Sequence, residues 1–168
     1  MTLLWIIGGI LLVSFGFIVV RGAPYVPTHA AQLDIAFDEL YKLTDKDTVV
    51  DLGSGDGIVL AAVVARGAGA IGYELNPILA LISRFRLRSS KRAKVLIQDF
   101  LILSELPPEV TVVYAFTTGH NIEEIGRKME QWATDRSLYF ISYGFSLRDK
   151  PVVASKGAMH LYNFENKF

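Results

Sequence analysis

The chain of 168 residues contains no cysteine. That excludes a disulfide framework, a thiolate nucleophile and any Cys-ligated metal centre. Histidine is scarce as well: His29, His120 and His160 lie far apart without ligand-like spacing, so no metal site is expected. Charge of either sign is not in surplus, with 17 Lys and Arg against 17 Asp and Glu. The basic excess of a nucleic-acid-binding domain is therefore missing, and no nucleic-acid partner is expected. Internal repeats and low-complexity tracts are absent after residue 28, so the remainder reads as one domain.

What is present first is an apolar run. Residues 3–20, "LLWIIGGILLVSFGFIVV", carry no charge over 18 positions. As a helix this run is about 27 Å long, close to the hydrocarbon thickness of a bilayer. A buried core helix would show a polar face and this run has none. A cleaved signal peptide would carry cations ahead of the run, and here the first cation, Arg21, follows it. The expectation is an uncleaved, single-pass anchor in a lipid bilayer, with Trp5 near one interface and the rest of the chain on the cytoplasmic side. The run holds no GxxxG, so no dimerisation face is expected. The organisation that follows is an anchor at 1–21, a Pro-rich connector at 22–28 and a domain at 29–168. Pro24 and Pro27 stiffen the connector, which reads either as a spacer or as a lid that turns Tyr25 toward a cleft.

The domain alternates between two periodicities. Thr28 is placed to cap a helix over 28–42, with Leu33, Ala36, Phe37, Leu40 and Tyr41 on one face. Strands are expected at 48–52, 70–74, 93–98, 110–116 and 138–145, with helices at 57–65, 77–89 and 121–133. A hairpin at 152–155 and 158–164, turning at Lys156-Gly157, closes the chain. Alternating strands and helices predict an α/β domain, a Rossmann-like and mostly parallel sheet of seven strands ending in that hairpin.

In such sheets ligands bind beyond the carboxyl ends of the strands. After the first strand comes "DLGSGDG", residues 51–57, with Gly53, Gly55 and Gly57 spaced for close backbone approach. A P-loop lysine is absent, and the third glycine falls one place early for a dinucleotide site. Asp51 and Asp56 bracket the loop and oppose a pyrophosphate; like charges near 4 Å cost about 1 kcal/mol even at the dielectric of water. S-adenosylmethionine fits better, because acidic side chains balance its ammonium and sulfonium while loop N–H groups take its carboxylate. Glu74, at the end of the second strand, is spaced to grip the two ribose hydroxyls, with Asn76 as a neighbour. Asp99, at the end of the third, is placed to accept from the adenine amino group, with Phe100 or Leu101 against the ring. Asp51, Gly53, Ser54, Gly55, Gly57, Glu74, Asn76, Asp99 and Phe100 are thus the expected cofactor contacts.

"DLGSGDG" with Glu74 and Asp99 resembles the binding motifs of the class I S-adenosylmethionine-dependent methyltransferases over residues 28–164. "PYVPT", "GYELNP" at 72–77 and "SRFR" at 83–86, behind an apolar segment, resemble more narrowly the membrane-anchored protein lysine methyltransferases that act on the adenine nucleotide translocase and the c-subunit of ATP synthase. The resemblance implies N-methylation of a lysine in a membrane protein. Members of that group commonly carry Arg after the last loop glycine, where this chain has Ile58. Two readings stay beside it: a lipid or small-molecule acceptor at the membrane, and a non-catalytic module that binds S-adenosylmethionine. No general base is evident. An Asn-Pro-Pro-Tyr motif after the fourth strand would point to amino groups of nucleobases or glutamine; Thr117-Thr118-Gly119-His120 stands there instead. Thr117, Thr118, His120 and Tyr25 are the candidates for the acceptor side. The cationic "RFRLRSSKR" at 84–92 reads as a solvated helix face or as a contact for anionic lipid or an acidic partner.

Overall fold

In a computed structural model of the chain, residues 1–6, 8–9 and 30–165 are described. Most of the apolar run at 3–20, the connector and Tyr25 lie outside the described residues. Among the described residues no helix is long and apolar enough to cross a membrane.

Seven strands form one sheet: β1 (Thr48–Leu52), β2 (Gly69–Glu74), β3 (Ala93–Ile97), β4 (Val112–Phe116), β5 (Leu138–Tyr143), β6 (Ala154–Lys156) and β7 (Met159–Phe164). Their order is β3-β2-β1-β4-β5-β7-β6. Strands β1 to β5 run parallel, and β7 inserts antiparallel between β5 and β6. The chain leaves β1 toward one edge through β2 and β3, then returns to β4 on the other side. The topological switch point therefore lies between β1 and β4, where a ligand crevice is expected.

The strands form because they are β-branched and buried on both faces. Val49, Val50, Val112 and Val113 are fully buried. One sheet face is covered by α1 (Ala30–Asp34, continuing as a π-helical stretch Ile35–Leu40), α2 (Ile58–Ala65) and α3 (Pro77–Arg86). On this face Phe37 packs against Tyr114, ring centroids 5.7 Å apart. Arg66, which follows α2, holds Asp34 and Asp38 of the first helix, each at 2.6 Å, and Lys156 pairs with Glu39. The other face is covered by α4 (Ile122–Trp132), whose Ile122, Ile125, Met129 and Trp132 pack on Val113, Phe140 and Tyr162.

The differences from the expected boundaries have local causes. Val110 sits in a turn, its N–H donating to the carbonyl of Pro107 at 3.1 Å, so β4 starts at Val112. β5 stops at Tyr143 because Gly144 turns at φ 117°, where a Cβ would lie 2.6 Å from the Thr117 carbonyl oxygen. In the hairpin, β6 starts two residues later than expected and the chain turns at Gly157, φ 59°. α3 ends at Arg86, short of Ser89, as Leu87 and the Ser89-Ser90 segment close into turns.

Candidate functional site

Three carboxylates stand at the carboxyl ends of β1, β2 and β3. Asp51 lies on β1, on the same side as Val49, and is only 3% exposed. Burial, then the charges of Glu74 and Asp56, push its carboxyl up to about 8. Glu74 ends β2. Its two oxygens accept from the backbone N–H of Gly55 and of Asn76, both at 2.7 Å. Each carboxylate oxygen has two lone-pair sites, so acceptor capacity remains for ligand hydroxyls. Asp99 follows β3, and one of its oxygens accepts from the N–H of Leu101 at 2.9 Å, opening the 3₁₀ turn Phe100–Ile102.

The glycine loop works differently from the sequence expectation. The N–H groups of Gly53, Ser54, Gly55 and Gly57 are already committed within the chain. Gly53 and Ser54 both donate to the carbonyl of Tyr73, at 2.9 and 3.0 Å, Gly55 donates to Glu74, and Gly57 donates to the carbonyl of Ser54 at 2.9 Å. The loop is therefore not a cradle of free donors for an anion, which removes the phosphate reading on geometry as well as on charge. What it offers is bare backbone. Gly53, at φ 84°, would place a Cβ in open space, so that side of the loop is a flat surface for a ligand. Gly57, at φ 80°, serves packing: a Cβ there would stand 2.2 Å from the Ser83 hydroxyl.

Several expected site residues take other roles. Ser54 turns its side chain inward, and a Cβ on Gly72 would lie 2.5 Å from its hydroxyl. Asn76 is buried, and its carbonyl oxygen accepts from Ile78 and Leu79 N–H as the cap of α3. Its side-chain oxygen is thus committed as a helix cap. Thr117 is 1% exposed. Its hydroxyl shares a hydrogen bond with Ser142 at 2.8 Å and accepts from the N–H of Phe145 at 3.1 Å. That network ties the ends of β4 and β5 together and leaves the hydroxyl unavailable to an acceptor. Thr118 is half-buried, with its N–H donating to Asn121 at 2.7 Å, while His120 is exposed.

Sequence reasoning missed Arg86. Its guanidinium meets Asp56 at 2.5 Å and also donates to the Asp56 carbonyl. Asp56 is thereby balanced, and the negative character of the cleft rests on Glu74 and Asp99, while Asp51 holds its proton up to about pH 8. The signal was the cationic run at 84–92, read as a solvated face although its third residue closes back on the loop. An open groove of about 720 Å³ lies elsewhere, lined by Tyr73, Leu106, Trp132 and Arg136, and includes none of the expected site residues.

The geometry has a counterpart among solved structures. An RNA methyltransferase from Salinibacter ruber, solved with S-adenosyl-L-homocysteine, superposes with TM-score 0.73 over 85% of this chain and 96% of that one, at 20% identity. This chain has the class I methyltransferase fold. A putative methyltransferase from Escherichia coli shares the fold, with TM-score 0.65 over 86% of this chain and 90% of the other, at 18% identity. Sequence relatives are partial. The lysine N-methyltransferase of the ATP synthase c-subunit from Xenopus laevis is 46% identical over 63 residues, which is 38% of this chain and 27% of that protein. Its human counterpart is 40% identical over 63 residues, 26% of its length. A ribosomal RNA small subunit methyltransferase A from Thermotoga petrophila is 27% identical over 124 residues, 67% of this chain and 46% of that protein. The chain thus spans about a quarter of the lysine methyltransferases and about half of the ribosomal RNA enzyme. No family model matches.

Proposed function

We propose that this chain binds S-adenosylmethionine in the cleft at the ends of β1, β2 and β3 and transfers its methyl group to a lysine side chain of a membrane protein. The observation that carries the cofactor is the set of Asp51, Glu74 and Asp99 at successive strand ends, beside a loop whose glycine N–H groups are already used. The residues present fit the group. The bare face at Gly53 receives it, the buried Asp51 carboxyl faces its cationic end and gives up its proton to that charge on binding, Glu74 keeps lone pairs for ribose hydroxyls and Asp99 for the adenine amino group. When bound, S-adenosylmethionine supplies an electrophilic methyl group on a sulfonium whose leaving group is a neutral thioether.

The rest is done by positioning. Glu74 is held by two backbone N–H donors, so its oxygens are fixed before a ligand arrives. Gly55 is tied to the same carboxylate, which links the loop to the ribose contact. A lysine acceptor, with an ordinary pKa near 10.4, must enter neutral. Burial beside apolar surface favours that form, and Thr117, closed within its own network, supplies no base. Thr118 and His120, beyond β4, flank the acceptor side.

The lysine acceptor is favoured by the partial relatives named as lysine N-methyltransferases of the ATP synthase c-subunit. The membrane setting, with the domain on the cytoplasmic side, is favoured by the 18 uncharged residues at 3–20. That run also favours a second reading, methyl transfer to a lipid or other small molecule held at the bilayer. The test is transfer of deuterium-labelled methyl from S-adenosylmethionine into native membranes, mapped by mass spectrometry. Label on lysine of a membrane protein is the expected result. Label confined to lipid or small molecules selects the second reading, and no label under conditions of demonstrated cofactor binding refutes methyl transfer to either acceptor.

A further inference from the structure

Helix α3 has two opposite apolar faces. Ala80 and Ser83, with Leu87 just beyond the helix, are buried toward the sheet. Ile78, Leu81, Ile82 and Phe85 recur at steps of three and four on the far side, where a surface helix normally carries polar residues. They are 39%, 66%, 45% and 67% exposed. Single exposed apolar side chains are ordinary, whereas a contiguous stripe marks an interaction surface. Ile97, on the same side of edge strand β3 as buried Val95, is exposed as well, at 49%.

The charge around the stripe is of one sign. Between Glu74 and Asp99 the sequence holds six Lys and Arg and no carboxylate, in a chain whose totals balance. Arg84 and Arg86 flank the stripe, and the Arg88 guanidinium stacks 4.1 Å from the Phe85 ring. Lys91 and Arg92 follow, both exposed. Arg86 is balanced by Asp56, and the others leave a net positive rim.

We infer that this face of α3 docks on a bilayer surface carrying anionic headgroups. The stripe enters the boundary between headgroups and acyl chains while the cations meet lipid phosphates. A second copy of this chain is a poorer occupant, because it would bring two positive rims together. The cap of α3, Asn76, donates its N–H to Glu74 at the cleft, so docking sets the rim of the ligand cleft against the membrane. The inference does not depend on the apolar run at 3–20 or on the identity of the acceptor.

The absence of cysteine supplies the test. Full-length chains carrying Leu81→Cys, Phe85→Cys or, as a control on the opposite sheet face, Arg127→Cys are labelled with an environment-sensitive fluorophore. They are reconstituted into vesicles of phosphatidylcholine with or without phosphatidylglycerol, doped with nitroxide lipids. Binding of S-adenosylhomocysteine by each labelled chain verifies folding and stays separate from docking. Labels at 81 and 85 should lose most of their emission in anionic vesicles, and regain it in phosphatidylcholine alone or with Arg88→Glu, Lys91→Glu and Arg92→Glu combined. The label at 127 should stay bright throughout. Quenching at 81 and 85 no greater than at 127, quenching that ignores anionic lipid, or shielding by contact between copies in lipid-free detergent would each overturn the inference.

Discussion

Replacing Asp51 with Asn tests the electrostatics of the cleft through stability. The carboxyl is buried at the end of β1, and its pKa is raised from 3.8 to about 8 by desolvation first and by Glu74 and Asp56 next. The folded chain therefore keeps a proton that the unfolded chain has released. Stability falls as pH climbs from about 4 to about 8 and levels off above that window. The gap between 3.8 and about 8 corresponds, at about 1.4 kcal/mol per pH unit, to a full loss of about 6 kcal/mol, of which about 1.7 has been lost by pH 5. Asp51→Asn keeps the shape and removes the titration. Its advantage over the native chain should grow by about 4 kcal/mol between pH 5 and pH 9, a Tm difference on the order of 10 °C for a domain of this size. Thermal unfolding of both proteins in matched buffers reads this directly. The same substitution should weaken binding of S-adenosylhomocysteine, whose ammonium loses its partner. An equal Tm change at both pH values, or a destabilised variant at pH 9, would refute the reasoning.

Other substitutions probe separate parts of the account. Gly57→Ala places a Cβ 2.2 Å from the Ser83 hydroxyl at φ 80°, so chemical denaturation should show a loss of about 1–3 kcal/mol. Glu74→Gln offers one carbonyl oxygen to two backbone donors, so the N–H of either Gly55 or Asn76 is left facing an amide NH2; calorimetry should record S-adenosylhomocysteine binding weakened about tenfold or more. Thr117→Val breaks the buried hydroxyl network with Ser142 and Phe145. It should cost about 1–3 kcal/mol in urea unfolding yet leave the pH profile of methyl transfer unchanged. A changed profile would restore Thr117 as an acceptor-side residue.

Much of the fold was legible because its signals are local. β1 was expected at 48–52 and occupies Thr48–Leu52, since its β-branched run ends where the first loop glycine, Gly53, turns at positive φ. Asn76 and Pro77 marked the start of α3, and the structure uses Asn76 for that cap. The carboxylates of the site were legible because strand ends in a parallel sheet converge. The partners of each group were not. Donors of the glycine loop are taken by Tyr73 and Glu74, and Asp56 is taken by Arg86 from thirty residues away. Such pairings depend on how β2 and α3 lie beside the loop, which spacing alone does not encode. The hydroxyl of Thr117 is likewise claimed by residues of β5 and its following turn.

The central claim is that the cleft between Asp51, Glu74 and Asp99 holds S-adenosylmethionine, and titration calorimetry with S-adenosylhomocysteine tests it most directly. One ligand per chain should bind the native protein, and the heat should disappear in Glu74→Ala. Absence of binding to the native chain, or binding that Glu74→Ala leaves unchanged, would contradict it.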